Sequence, residues 1–383
     1  MQLINPAEFC SVLDRSGFGF FTGVPDSLLK DLLLYVSNSY PDDMHVIAAN
    51  EGNAVALASG HYLATGEPGI VYMQNSGLGN AVNPLLSLAD QLVYSIPMLL
   101  IIGWRGEPSG KKDEPQHAKQ GQVTLALLDA MGIEFELLNS NTNNFDQIVM
   151  KLSSKMKKTS SPVALVVSAG TFGAFPTNAQ PESSYEMSRE DAIKQIIENL
   201  SPDDLIVSTT GMASRELFEC RDGLGHGHEA DFLTVGSMGH CSQIALGIAL
   251  KMPNRQVICV DGDGAALMHM GAIPVIGQSK PANYLHIVIN NGAHDSVGGQ
   301  PTAGRHVDFS KIATASGYIN ADSAQTFDRL NKLVEVMRSA NGPSFIEVKV
   351  RSGSRSDLGR PKTSPIQNKI AFMENLHRSR DRG

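Results

Sequence analysis

The sequence predicts an α/β protein made of two doubly wound parallel-sheet domains, and three observations predict it. Strand-length apolar runs alternate with helix-period segments along the chain. A polar stretch rich in Gly, Pro and Ser interrupts that alternation near its middle. The residues suited to chemistry stand just beyond the apolar runs, where open α/β sheets bind ligands. The 383 residues allow two domains that each bury a core, and 42% hydrophobic against 18% charged residues excludes a disordered chain.

In the first half FGFFTGV, HVIAA, GIVYM, PMLLIIG, FELL and PVALVVS read as buried strands, with helical segments such as NAVALASGHYLA and QVTLALLDAMG between them. TFGAFPTNAQPESSYEMSRED then reads as a linker. It ends at Ser188 with Asp191 three positions on, an N-cap arrangement that opens the helix DAIKQIIENL. LIVSTT, DFLTVG, QVICV, LHIVIN and SFIEVKV continue as strands. Residues 1–175 and 189–383 are thus expected to be domains joined by a linker over 176–188.

Several functions are set aside. A net charge of −8 opposes general nucleic-acid binding. The N-terminus lacks the basic-then-apolar pattern of a signal peptide, and the run IPMLLIIGW is too short for a bilayer, so a cytoplasmic, membrane-free protein is expected. Cys10, Cys220, Cys241 and Cys259 show no metal-type spacing and read as buried thiols. Gly77 and Gly79 follow a strand, but Val82 breaks the dinucleotide-binding fingerprint.

Four turns follow strands and carry polar residues: VPDS, ANEG, QNSGLGN and DGDG. The last is a strand–Gly turn–helix junction, a place suited to phosphate, yet it holds Asp261 and Asp263. A carboxylate about 4 Å from a phosphate oxygen is repelled by several kcal/mol unless a cation lies between them. Mg²⁺ fits that role, since it takes one or two side-chain oxygens and fills its remaining positions with phosphate and water. A second oxygen donor stands at the end of LHIVI, where Asn290 and Asn291 begin NNGAHDS, 28 positions beyond Asp263. One helix and one strand span that distance, which brings both turns to the same sheet edge.

GDG followed at this distance by NN resembles the signature of the thiamin diphosphate (ThDP) enzymes. The resemblance implies a ThDP-binding fold with a pyrimidine domain followed by a diphosphate domain. It makes Asp263, Asn291 and the Ala293 carbonyl ligands of Mg²⁺, with Gly262, Gly264 and Ala265 beside the diphosphate. NEGNAVALASGHYLATGEPGI is similar to the family's glutamate helix, so Glu51 would bond the cofactor's pyrimidine; Asn50 stands where many relatives have His. QNSGLGN resembles the Ser-Gly-x-Gly turn. TVGSMGH resembles the turn in which Gly236 accepts from the cofactor's amino group and Met238 holds the cofactor bent.

His117 in DEPQHAKQG resembles the proton-transfer His of ThDP decarboxylases, and His294 and Asp295 follow the metal turn as further candidates. Asp26 and Ser27 stand where relatives place a polar active-site residue. The length leaves no room for a middle domain, which resembles the short decarboxylases of pyruvates bearing a phosphonate or sulfonate at C3. GVPDSLLK, GWRGEPSGKKDEPQH, NNGAHDSVGGQPT and RSDLGRP carry that likeness, and it favours the phosphonate. Arg105, Lys111 and Lys112, with Arg355 and Arg360 in the tail, are donors suited to a small anionic 2-oxo acid. Sulfopyruvate decarboxylation and acetolactate-type carboligation are the alternatives. The family's habit of joining its two cofactor domains across subunits implies a homodimer or larger assembly.

Overall fold

A computed structural model describes residues 3–111, 113–176 and 184–378. The chain forms two compact units, residues 1–179 and 180–383. Most of the expected linker lies outside the described residues, as does Lys112.

The first unit runs α1 (Pro6–Arg15), β1 (Phe21–Gly23), α2 (Lys30–Ser39), β2 (His45–Ile47), α3 (Glu51–Thr65), β3 (Gly69–Gln74) and α4 (Leu78–Pro84). It continues through β4 (Met98–Gly103), α5 (Pro115–Ala130), β5 (Glu134–Leu138), α6 (Phe145–Thr159) and β6 (Val163–Val167). The strands pair in parallel in the order β2-β1-β3-β4-β6-β5. Helices cover both faces, which is why β3, β4 and β6 are apolar at nearly every position. Ile70, Tyr72, Leu99 and Ile101 enter one core, while Val71, Met73, Leu100 and Ile102 enter the other.

The second unit runs α7 (Arg189–Glu198), β7 (Leu205–Ser208), α8 (Met212–Gly223), β8 (Asp231–Leu233), α9 (Cys241–Lys251), β9 (Val257–Gly262) and α10 (Asp263–Met268). It continues through α11 (Ala272–Ser279), β10 (Tyr284–Asn290), α12 (Phe309–Ala315), β11 (Asn320–Ala324), α13 (Phe327–Ser339), β12 (Ser344–Lys349) and α14 (Pro365–Arg378). Its parallel sheet has the order β11-β12-β10-β9-β7-β8. Counted from the first strand of each unit, both sheets read 2-1-3-4-6-5. The chain therefore uses one topology twice.

Two local features differ from the sequence reading. The segment between Asp263 and β10 holds two short helices rather than one, broken at His269–Gly271. The strand β11, sequence NADSA, has no large apolar residue because it lies at the sheet edge and is partly exposed. The Ser188–Asp191 pair does form a reciprocal capping box at the start of α7. Among the described residues no helix is long and apolar enough to cross a membrane.

Candidate active site

In the first unit the reactive side chains gather beyond the carboxyl ends of β1, β2, β3 and β4. Glu51 is the first residue of α3, behind the N-cap Asn50, whose Oδ1 accepts from Gly52 N at 2.8 Å. A helix start favours a carboxylate, but Glu51 is only 5% exposed and burial raises its pKa despite a hydrogen bond from Asn80. Asn80 Nδ2 donates to Glu51 Oε2 at 2.7 Å. Gly77 presses on the other side, since a Cβ there would meet Glu51 Oε1 at 2.4 Å. QNSGLGN therefore acts as the cradle of this carboxyl, with Gly77 giving room and Asn80 giving the bond.

A second polar group lies beyond β1 and β4. Asp26 is fully buried, accepts from Leu28 N at 3.0 Å and from Gln74 Nε2 at 3.1 Å, and burial raises its pKa to about 6. Arg105 donates through Nε and Nη2 to Asp113 at 2.7 and 2.6 Å, and through Nη1 to Ser27 Oγ at 2.9 Å. This bidentate pair holds the Asp113 carboxyl far below the usual carboxylate range. His117 lies in the first turn of α5 with its Nδ1 buried and without a hydrogen-bond partner. Burial and the nearby Arg105 both lower its pKa, so the imidazole is neutral at neutral pH. Lys111 is exposed in the same loop.

In the second unit Asp263 opens α10 and is 3% exposed, and burial raises its pKa to about 6. Thr302 Oγ1 donates to Asp263 Oδ2, and a Cβ on Gly304 would fall 2.4 Å from that same oxygen. The turn 302–304 thus folds tightly over the carboxylate. Asn290 Nδ2 bonds Gly304 O and Glu347 Oε1, both at 2.8 Å, which fixes this turn to β10 and β12. Asn291 Nδ2 donates to Asp295 Oδ2 at 2.6 Å. A carboxylate only accepts, so the Asn291 amide must turn its nitrogen to Asp295 and its oxygen away.

Asp295, named as a catalytic candidate, sits in a network of hydrogen bonds and an ion pair. Its Oδ2 also accepts from Arg189 Nη1 at 2.9 Å and Gly353 N at 3.0 Å, and Arg189 in turn forms a two-point pair with Glu216. His294 stays neutral because burial lowers its pKa to about 4. A Cβ on Gly264 would meet His294 Cε1 at 3.3 Å and Met238 Cε at 3.4 Å, so Met238, His294 and the GDG turn share one small space. Gly262 and Ala265 flank that turn, and Gly236 is partly exposed just before Met238. Ala293 is 7% exposed and bridges to Pro301.

The oxygen donors of Asp263 and Asn291 suit a hard cation such as Mg²⁺, and the buried Asp263 carboxyl has no cationic partner among the described residues. The residues thus fit a metal-bridged diphosphate. Arg105 and Lys111 belong to one unit and Arg355 and Arg360 to the other. Arg355 is engaged by Glu190, Glu219 and Asp357, while Arg360 is exposed in the tail. Thr302, Gly304, Asn80, Arg189 and Glu216 were not singled out from sequence. Only Thr302 carried a local signal, a Thr two places before a Gly in a turn.

Comparison with known proteins gives matches in both units. Residues 8–129 match the thiamine pyrophosphate enzyme N-terminal TPP binding domain, and residues 210–348 match the C-terminal one; this pyrophosphate is ThDP under its other name. The chain is 34% identical to phosphonopyruvate decarboxylase of Streptomyces viridochromogenes, over 95% of this chain and 93% of that protein. It is 33% identical to the Streptomyces hygroscopicus enzyme of the same name, over 97% and 94%. It is 27% identical to sulfopyruvate decarboxylase of Methanosarcina acetivorans, over 98% and 99%.

Proposed function

The chain belongs to the thiamine pyrophosphate enzymes, among the decarboxylases, and on that premise we propose that it converts 3-phosphonopyruvate to 2-phosphonoacetaldehyde and CO₂ with Mg²⁺ present. Likeness along nearly the whole chain carries the substrate assignment, and the phosphonate relatives are closer than the sulfonate one. Sulfopyruvate is the second reading, favoured by that more distant full-length relative.

When bound, the thiazolium cofactor supplies the electron sink that a 2-oxo acid needs to lose CO₂. The protein supplies position and proton handling. Asp263 and Asn291, with the Ala293 carbonyl, would hold Mg²⁺, and Asp295 would orient Asn291. Gly262, Gly264 and Ala265 would line the diphosphate, the Gly236 carbonyl would accept from the cofactor's amino group, and Met238 would support the cofactor. Glu51 shares a proton at Oε1, the oxygen that Asn80 leaves open. The half-buried His117, whose Nδ1 is unpaired, takes up a proton and passes it toward the product carbon. Arg105, Ser27 and Lys111, with Asp26 beside them and Arg360 from the tail, receive the anionic substrate.

The active protein is a homodimer or larger, its sites completed between chains. Exposed apolar side chains on α3, Leu57 and Leu63, and following α4, Leu92 and Tyr94, support such an assembly. We place it in the cytoplasm. The deciding experiment supplies apo-protein with ThDP and Mg²⁺ and compares phosphonopyruvate, sulfopyruvate and pyruvate. Phosphonopyruvate is expected to have the highest kcat/KM and to yield an aldehyde. A higher value with either other acid, or a condensed product, would overturn the assignment.

A further inference from the structure

Behind the diphosphate turn lies a second group of ligating side chains that the decarboxylation does not use. Cys259 and Asp261 are two residues apart on β9 and so share a face of the sheet. His286 of β10 is the register partner of Cys259. Cys241, the first residue of α9, covers them. All four are at most 1% exposed.

Two distances among them match those of a tetrahedral ion site. Cys241 Sγ and Cys259 Sγ lie 3.7 Å apart. Two thiolates on one Zn²⁺ at 2.3 Å stand about 3.8 Å apart. Asp261 Oδ2 and His286 Nε2 are 3.5 Å apart, against about 3.4 Å for oxygen and nitrogen ligands of one zinc. Ligand atoms of Cys241, Cys259 and Asp261 all lie within 4.8 Å of one another, and His286 joins them through its contact with Asp261.

An independent observation points to a ligand. Asp261 Oδ2 and His286 Nε2 are both buried and make no hydrogen bond; they meet only each other, as a long ion pair at 3.5 Å, although a buried polar atom without a hydrogen bond costs stability. The atoms behind them are occupied: Asp261 Oδ1 accepts from Gly262 N at 2.9 Å, and His286 Nδ1 meets Tyr318 OH at 3.2 Å. Outer partners of this kind hold metal ligands in place and leave the inner atom to the ion.

The geometry points to a structural Zn²⁺ site formed by Cys241, Cys259, Asp261 and His286. Its sulfur and nitrogen donors are softer than the all-oxygen set at Asp263, so the two sites select different metals. The ion joins α9 to β9 and β10 just before the GDG turn and anchors the strand from which Asp263 projects.

The test is a metal count on full-length protein grown with added zinc and purified with ThDP and Mg²⁺. About one zinc per chain is expected, kept in Asp263→Ala and Cys10→Ser and lost in the Cys241→Ser/Cys259→Ser double variant. Should that variant fail to fold, protein produced with cobalt replaces it, and a thiolate-to-cobalt charge-transfer band is expected in the unaltered sequence. Absence of both zinc and that band overturns the site. So does zinc retained by the double variant or lost in Asp263→Ala, and so does a Cys241–Cys259 disulfide found by mass in the protein as isolated.

Discussion

Gly77 and Glu51 are in such close apposition that no side chain fits between them: a Cβ on Gly77 would lie 2.4 Å from Glu51 Oε1 and 2.6 Å from its Cδ and Cγ. Glu51 Oε2 is meanwhile held by Asn80. The carboxyl is fixed from both sides.

Gly77→Ala is therefore expected to displace Glu51 and lower kcat by about tenfold or more, because small misplacements of a proton-handling group are costly. Steady-state kinetics with saturating cofactor would show it. An unchanged kcat would mean that the position of Glu51 does not limit turnover.

Glu51→Gln keeps the shape and the Asn80 contact but cannot share a proton. Its kcat is expected to fall by about 10²–10⁴-fold, the usual contribution of a positioned proton donor or acceptor. Calorimetric titration should still give ThDP binding close to that of the unaltered protein.

Asp263→Ala removes the carboxylate expected to hold the Mg²⁺ that bridges it to the diphosphate. Mg²⁺-dependent ThDP binding should be abolished, and activity with it. Titration of apo-protein with ThDP, with and without Mg²⁺, separates this from a loss of turnover alone. Binding that stays tight and Mg²⁺-dependent would remove Asp263 from the metal set.

Asp26 gives a prediction about stability. Burial raises its pKa to about 6 from 3.8. An acid raised in the folded state lends stability while neutral; that contribution is complete below about pH 4 and is lost as pH rises through about 6. Asp26→Asn, which keeps an acceptor for Leu28 N, should therefore stabilise the protein by about 1–3 kcal/mol near pH 8 and leave it unchanged near pH 4. Denaturant unfolding at the two pH values checks it.

Much of the fold was legible because parallel strands buried on both faces must be apolar at successive positions, as in β3, β4, β6, β9 and β10. β11 was not legible, since a half-exposed edge strand needs no apolar residue. Asp263 and Asn291 could be paired from spacing because both lie at the ends of neighbouring strands. Thr302, by contrast, reaches Asp263 only after the loop from Gly292 has doubled back, and no periodicity records that path. Cys241 and Cys259 looked unrelated at 18 positions apart, yet a helix packed on a strand brings their sulfurs into contact. Asp295 was singled out beside the NN turn, while its partner Arg189, more than 100 positions upstream, left no trace in the spacing.

The repeated strand order has a consequence for the chain as a piece of heredity. Each half closes its own interior, and each bears only part of the proposed chemistry: the buried Glu51 in one, the buried Asp263 and Asn291 in the other. Such a molecule can be cut into two genes, or fused from them, without redrawing either scaffold. What the covalent tether adds is equal dosage of the two parts, so selection on its sequence should be lax while selection on the buried carboxylate of each half stays strict.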